Sequence, residues 1–142
     1  MTGATQLRMP KPRRVSKLEA TATLPQSGWA RGPELNGELV EGGIDWQVAR
    51  RDGALEIAAH YVLRTADGAL VEVKSDGLRH GPDEVMARLA RGEAVPRDAY
   101  FFRTLMRFTT GSPSWAHLNK VMAVAVGQRE ARAVLLDVYR LA

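Results

Sequence analysis

Residues 38–77 read ELVEGGIDWQVARRDGALEIAAHYVLRTADGALVEVKSDG, and the way this stretch doubles back on itself decides the architecture. Apolar and polar residues alternate along Ile44–Arg50, Leu55–Thr65 and Ala69–Asp76, the period of two that marks strands. The segments "RRDG" and "TADG" join them, and Asp-Gly between alternating runs is a hairpin signal. In "TADG" a three-residue loop with Gly68 left-handed pairs Leu63 with Val71, Tyr61 with Val73 and Ala59 with Ser75. One face then carries Leu55, Ile57, Ala59, Tyr61, Leu63, Val71 and Val73, and the other carries Glu56, His60, Arg64, Glu72 and Lys74. A strict two-residue turn would set Tyr61 against Lys74 and Leu63 against Glu72. Because a one-residue slip flips every side chain, the pattern selects the bulged turn.

The same turn at "RRDG" pairs Ala49 with Leu55, Gln47 with Ile57 and Asp45 with Ala59, and sets Gly43 opposite Tyr61. Asp45, Gln47 and Tyr61 then face inward, beside small residues that leave room. A buried polar group without a partner costs about 2–7 kcal/mol even when neutral. A buried Asp45 would therefore need a donor, a ligand or a raised pKa, and would serve as a general base or as an anchor for a ligand hydroxyl. A two-residue turn would instead put Ile44, Trp46 and Val48 inside and leave Asp45 in solvent.

Outward from this core stretch, "LEATATL" reads as a first strand, and "WARGPELNGELVEGG" as short extended pieces broken by Gly and Pro. "GPDEVMARLARG" predicts one short helix over residues 82–91: Pro82 in the first turn, Asp83 and Glu84 at the positive end, Gly92 at the C-terminal cap. "YFFRTLMRFTT" is a strand with Tyr100, Phe102, Thr104, Met106 and Phe108 on one face and Phe101, Arg103, Leu105 and Arg107 on the other. "GSPSWAHLN" is a turn or short helical cap. "KVMAVAV" and "AVLLDVYRL" close the chain as strands apolar on both sides, whose outer face calls for cover by the helix or by another subunit. Seven or eight strands joined mostly by hairpins predict an all-β fold, a single antiparallel β-barrel of about eight strands with one short helix, since closure removes exposed edges.

Composition narrows the function classes. The 142 residues contain no Cys, which excludes disulfides and thiolate chemistry and suits a reducing, cytoplasmic setting. No apolar run is long enough to span a membrane as a helix. The net charge of +4 is misleading. Arg8, Lys11, Arg13, Arg14 and Lys17 supply five positive charges in a stretch without acids, so the rest of the chain carries −1. Residues 1–17 read as a flexible basic tail and 18–142 as the barrel domain. With its folded part not basic, the chain is not expected to bind nucleic acid. His60, His80 and His117 have no metal-ligand spacing, and no nucleophile elbow or phosphate-cradling glycine loop is present, so neither metal nor cofactor is expected.

The segments "RGPELNGELVEGGIDW", "HYVLRTADGALVEV", "GLRHGPDEVMARLARGE", "YFFRTLMRFTTG" and "WAHLNKVMAVAVG" run in unbroken order over roughly residues 31–140. As an ordered set they resemble a bacterial and fungal domain-of-unknown-function family of small proteins with an antiparallel, lipocalin-like (calycin-like) β-barrel. The resemblance implies that fold and a recurrent "GG-x-D-W" around Asp45; it implies no activity. The chain departs from the family pattern in a short, basic N-terminal region, and in "AHYVL", where His60 stands in place of an Arg.

The function expected from these readings is binding of a small, partly apolar, ring-bearing molecule in the barrel cavity. Asp45 and Tyr61 are the candidate catalytic residues. Gln47, Arg79, Phe102, Phe108, Trp115 and Asn119 are the candidate ligand contacts, with Arg79 guarding the rim from the "GLRHGP" loop. One alternative is a cofactor-free lyase, isomerase or cyclase with Asp45 as general base. Another is a structural subunit with a filled barrel that forms a homodimer through its C-terminal strands.

Overall fold

A computed structural model describes residues 17–23, 27–32, 35–40 and 42–141; the basic-tail reading of residues 1–16 lies outside them. Among the described residues nine strands form one antiparallel sheet: β1 (Lys17–Thr23), β2 (Ser27–Arg31), β3 (Gly37–Leu39), β4 (Ile44–Ala49), β5 (Leu55–Thr65), β6 (Leu70–His80), β7 (Phe101–Thr109), β8 (Met122–Arg129) and β9 (Ala133–Arg140). The hydrogen-bonded order β3-β2-β1-β9-β8-β7-β6-β5 is closed by a β3–β5 pairing, which makes a ring of eight. The expected barrel is thus present, and "LEATATL" takes part as β1, between β2 and β9.

The ninth strand is the departure from a simple barrel. β3 and β4 lie one after the other along the same edge of β5, separated by a bend at Gly42, whose φ of 100° is left-handed. β3 is held on its far side by β2. β4 is paired with β5 alone among the described residues, and all six of its residues are exposed. Among the described residues the wall is therefore closed beside β3 and has a free edge beside β4.

Both Asp-Gly turns are of the bulged form that the hydrophobic pattern selects. Gly53 and Gly68 have φ of 87° and 83°, and their N–H groups donate to Arg50 O (3.2 Å) and Thr65 O (3.0 Å). The resulting register is Leu63↔Val71, Tyr61↔Val73 and Ala59↔Ser75 in one hairpin, and Ala49↔Leu55, Gln47↔Ile57 and Asp45↔Ala59 in the other.

Two apolar clusters fill the barrel from its ends. One gathers Leu63, Val71, Val73, Met106, Phe108, Ala123, Ala125 and Val138 beneath a 3₁₀ segment, Pro113–Lys120, which contributes Leu118 and Trp115. The other gathers Ile57, Tyr100, Phe102 and Leu136 beneath helix α1 (Asp83–Ala90), which contributes Leu89, Val85 and Met86. The helix thus plugs an end of the barrel; of the two covers expected for the outer side of β8 and β9, the helix or a second subunit, the helix does not supply it.

β6 runs further than the sequence predicts. Expected to end at Asp76, it continues through Gly77 to His80, with Leu78, Arg79 and His80 opposite Arg103, Phe102 and Phe101. Gly77 acts here as a packing residue, not as a breaker: a Cβ at this position would lie 2.5 Å from the Arg103 carbonyl oxygen and 2.6 Å from Thr104 Cγ2. Its absence lets β6 and β7 approach, and the ladder carries on.

Candidate functional site

The extension of β6 relocates Arg79. The sequence placed it in a rim loop; the structure places it in a strand, inside the barrel, 7% exposed. Its parity with Ser75, Val73 and Val71 turns it inward, and its Cζ lies 5.3 Å from the centroid of the Phe102 ring. Neither Nε nor Nη1 has a hydrogen-bond partner. Burial, and to a lesser degree the charge of Arg129, draws the guanidinium pKa below its usual value; Tyr100 and Asp45 act weakly in the other direction. A buried cation without a bonded counter-ion is costly to leave so, and native proteins seldom do.

Around Arg79, where Leu136 alone of the named core residues touches both apolar clusters, a belt of small and polar residues lies between them. Ser75 and Thr104 are both 3% exposed and point inward, and Thr104 Oγ1 has no partner. Gly77 sits between them in the ladder, opposite Ile57 on one side and Thr104 on the other. Gly127 makes room for the Phe102 ring, which a Cβ would meet at 2.6 Å. The sequence put Ser75 and Thr104 on the inner face but did not single them out. The signal was their parity: hydroxyls at inward positions of otherwise apolar strands.

Tyr61 borders this belt from the other side. It is half-buried, and its hydroxyl makes no hydrogen bond among the described residues. Burial first, and the negative charge of Asp45 second, push its phenol far above the ordinary range, so it remains a proton donor at any physiological pH. Gly43 lies against it, where a Cβ would come within 3.0 Å of Tyr61 Cβ.

Asp45 and Gln47 keep the register the sequence predicts and share the face of Ile57, Ala59 and Tyr61, but they are not buried. The expected enclosed carboxylate is corrected here: β4 has no second neighbour among the described residues, so water reaches both of its faces. Gln47 Nε2 donates to Asp45 Oδ2 at 3.2 Å. Asp45 is thus a hydrated carboxylate at an opening in the wall, close enough to influence both Tyr61 and Arg79.

The remaining candidates divide. Phe102 belongs to the site, 2% exposed beneath Arg79. Phe108 packs in the other cluster, six residues along β7 and so about 20 Å away along the strand. Trp115 lies on the 3₁₀ cap and donates Nε1 to the Asp67 carboxylate at 3.3 Å. The Asn119 amide is taken up by the loop it faces: Oδ1 accepts from Thr110 N–H at 2.7 Å and Nδ2 donates to Thr110 O at 3.0 Å. The structure therefore groups Arg79 with Phe102 and adds Ser75 and Thr104; Asp45 and Gln47 lie at the opening beside this belt, Tyr61 stands level with Phe108 against the other cluster, and Trp115 and Asn119 are set apart. No three His, Asp or Glu side chains among the described residues form a metal-binding group.

Comparison with known proteins agrees with this architecture. A UPF0311 protein of Clostridium acetobutylicum is 37% identical over 115 residues, covering 81% of this chain and 73% of the relative. The crystal structure of a conserved protein of unknown function from Rhodopseudomonas palustris matches with a TM-score of 0.79 at 31% identity, over 89% of this chain and 93% of that one. A protein of Acinetobacter baumannii, described as β-barrel like, matches with 0.76 at 30%, over 95% and 99%. At 18% identity and a TM-score of 0.59, over 92% and 97%, an enzyme from Penicillium herquei shares the fold. The family model described as a protein of unknown function, DUF3237, matches residues 6–141, and the chain belongs to that family.

Proposed function

We propose that the barrel binds a small, partly apolar, ring-bearing molecule that carries an oxyanion, a carboxylate or an enolate. The observation that carries this reading is Arg79: a buried guanidinium with two unpartnered nitrogens is a preformed receptor for an anion. The anion sits on Arg79. The ring lies against Phe102 and Ile57, and the unpartnered Thr104 hydroxyl and the Tyr61 phenol donate to further polar atoms. Access runs past β4, where Asp45 and Gln47 meet solvent. Isothermal calorimetry with a panel of aromatic carboxylates and phenolates tests this, together with native mass spectrometry for a co-purified anion. At least one such anion binds the wild-type protein, and Arg79→Met abolishes its binding. If the panel binds Arg79→Met as well as it binds wild type, the anion is not on Arg79 and the reading fails.

A second reading uses the same site for catalysis without a cofactor, as a lyase, isomerase or cyclase. Asp45 is an accessible carboxylate near a protonated phenol and a buried cation. It would accept a proton while Arg79 or Tyr61 stabilises the charge that develops on an oxygen. The same fold is used by a fungal protein described as an enzyme. A bell-shaped pH–rate profile that loses its acid limb in Asp45→Asn supports this reading; binding with no turnover of any bound compound leaves the first. A barrel that is only structural predicts no ligand from either experiment.

A further inference from the structure

We infer that β4 is the dimer interface of this protein, and that two copies join edge to edge about a two-fold axis through Trp46. The inference does not depend on the ligand. It begins with the backbone. Arg50 N–H donates to Ala54 O at 2.9 Å, and antiparallel ladders alternate. The N–H and C=O groups of Val48, Trp46 and Ile44 therefore face β5, while those of Asp45, Gln47 and Ala49 face away from it, with no partner among the described residues. Among the described residues β8 and β9 are hydrogen-bonded on both sides, so the C-terminal strands offer a face but no ladder to extend.

The side chains of β4 fit a second copy of the same strand. Its outer face bears Ile44, Trp46 and Val48, which are 49%, 66% and 55% exposed, an apolar edge of the kind soluble proteins cover. Antiparallel pairing keeps inner residues opposite inner ones. With Trp46 on the axis, Trp46 meets Trp46 of the partner subunit, Ile44 meets the partner's Val48, and Asp45 meets the partner's Gln47. The outward-facing backbone groups of Asp45 and of the partner's Gln47 then form a hydrogen-bonded pair, and each carboxylate faces an amide. Moving the axis by one residue to Asp45 would set two carboxylates directly opposite, which is repulsive; moving it to Gln47 would leave Asp45 facing Ala49. The complementary register is the one centred on Trp46. It uses up both free edges, so it closes as a dimer and does not propagate. The partner's Gln47 also comes to lie beside Asp45 at the mouth of the candidate site.

Because the chain has no cysteine, a single Trp46→Cys substitution tests the register directly. On the axis, residue 46 forms a non-hydrogen-bonded pair with its copy, with Cα atoms about 4.5 Å apart, within disulfide range. Mild oxidation of the full-length variant is expected to give a dimer on non-reducing gels. Ile44→Cys and Val48→Cys alone are expected to stay monomeric, and a mixture of the two to cross-link. In light scattering the wild-type chain is expected at twice its 15.6 kDa mass. Gln47→Asp, which opposes carboxylates on both sides of the axis, is expected to run as a monomer, and the exchanged pair Asp45→Gln/Gln47→Asp to restore the dimer. A monomeric wild-type protein overturns the inference. So does a dimer that Ile44→Cys captures by itself, or one that Trp46→Cys does not capture.

Discussion

Replacing Arg79 by methionine should stabilise the protein while destroying its binding site. Methionine nearly matches the length and volume of the arginine stem and brings a polarisable sulfur to the Phe102 ring. The substitution removes the contact between guanidinium and ring, 5.3 Å apart, of the kind worth about 0.5–2 kcal/mol. Against that, it removes a charge held at 7% exposure with Nε and Nη1 unpartnered. Exchanging buried charges for well-packed apolar residues has been stabilising by about 1–4 kcal/mol even where the charges were paired. Here no bonded partner would be orphaned by the change. The net expectation is about 1–2 kcal/mol of added stability in the ligand-free protein, which for a chain of this length raises Tm by about 3–8 °C. Differential scanning calorimetry and urea titration of ligand-free samples measure it. A loss of 2 kcal/mol or more in Arg79→Met would refute the reasoning, since it would mean that the guanidinium is a structural tie and not a vacant receptor. The opposite signs for stability and binding separate a functional residue from a structural one.

Other expectations follow from the same packing. In Tyr61→Phe the alkaline limb of stability changes: because the folded pKa of Tyr61 is raised, its contribution is complete below the unfolded value near 10 and is lost as pH climbs from there toward the folded value, so wild type weakens above about pH 10 more steeply than the variant. Gly127→Ala forces a methyl to within 2.6 Å of the Phe102 ring and is expected to cost about 1–3 kcal/mol by calorimetry, with most of the loss recovered in the double variant with Phe102→Leu. Asp67 accepts hydrogen bonds from Thr65 Oγ1 and Trp115 Nε1, which hold its carboxyl below the usual value; the tie is complete above about pH 3.8 and weakens as pH falls below it, a change readable in Trp115 fluorescence and absent in Asp67→Asn.

The barrel was legible because its hairpins are short and their registers are enforced twice, by the turn glycines and by the apolar face. Gly53 and Gly68 allow only a left-handed residue cheaply, and the alternation from Leu55 to Val73 tolerates only one slip state, so local and longer-range signals agree. The end of β6 was not legible. A glycine at position 77 followed by "LRHGP" carries every mark of a loop, and only the close approach of β7, invisible in one dimension, makes that glycine a strand residue. Arg79 was misplaced for the same reason. Asp45 was assigned to the right face yet wrongly enclosed: alternation reports which side a residue faces, but it does not say whether a neighbouring strand stands beside it. That depends on where β2 stops covering the β3–β4 line, a matter of pairing between segments distant in sequence.

The exposure of Asp45 changes what its removal should do. An enclosed base would be costly to neutralise, and a ligand anchor would lose affinity with it. A hydrated carboxylate near the path to a buried cation opposes the entry of an anion. At about 10 Å and an effective dielectric constant of about 40, the repulsion between two unit charges is about 0.8 kcal/mol. Asp45→Asn is therefore expected to leave stability within about 0.5 kcal/mol of wild type and to bind an aromatic carboxylate about three- to fourfold more tightly, with the difference shrinking as salt is raised. If the site is catalytic, the same variant combines this tighter binding with loss of turnover, because the proton acceptor is gone while the anion receptor remains. Weaker binding of the anion in Asp45→Asn would contradict both outcomes, and would place Asp45 in direct contact with the ligand as a hydrogen-bond acceptor instead of at the mouth as a charge.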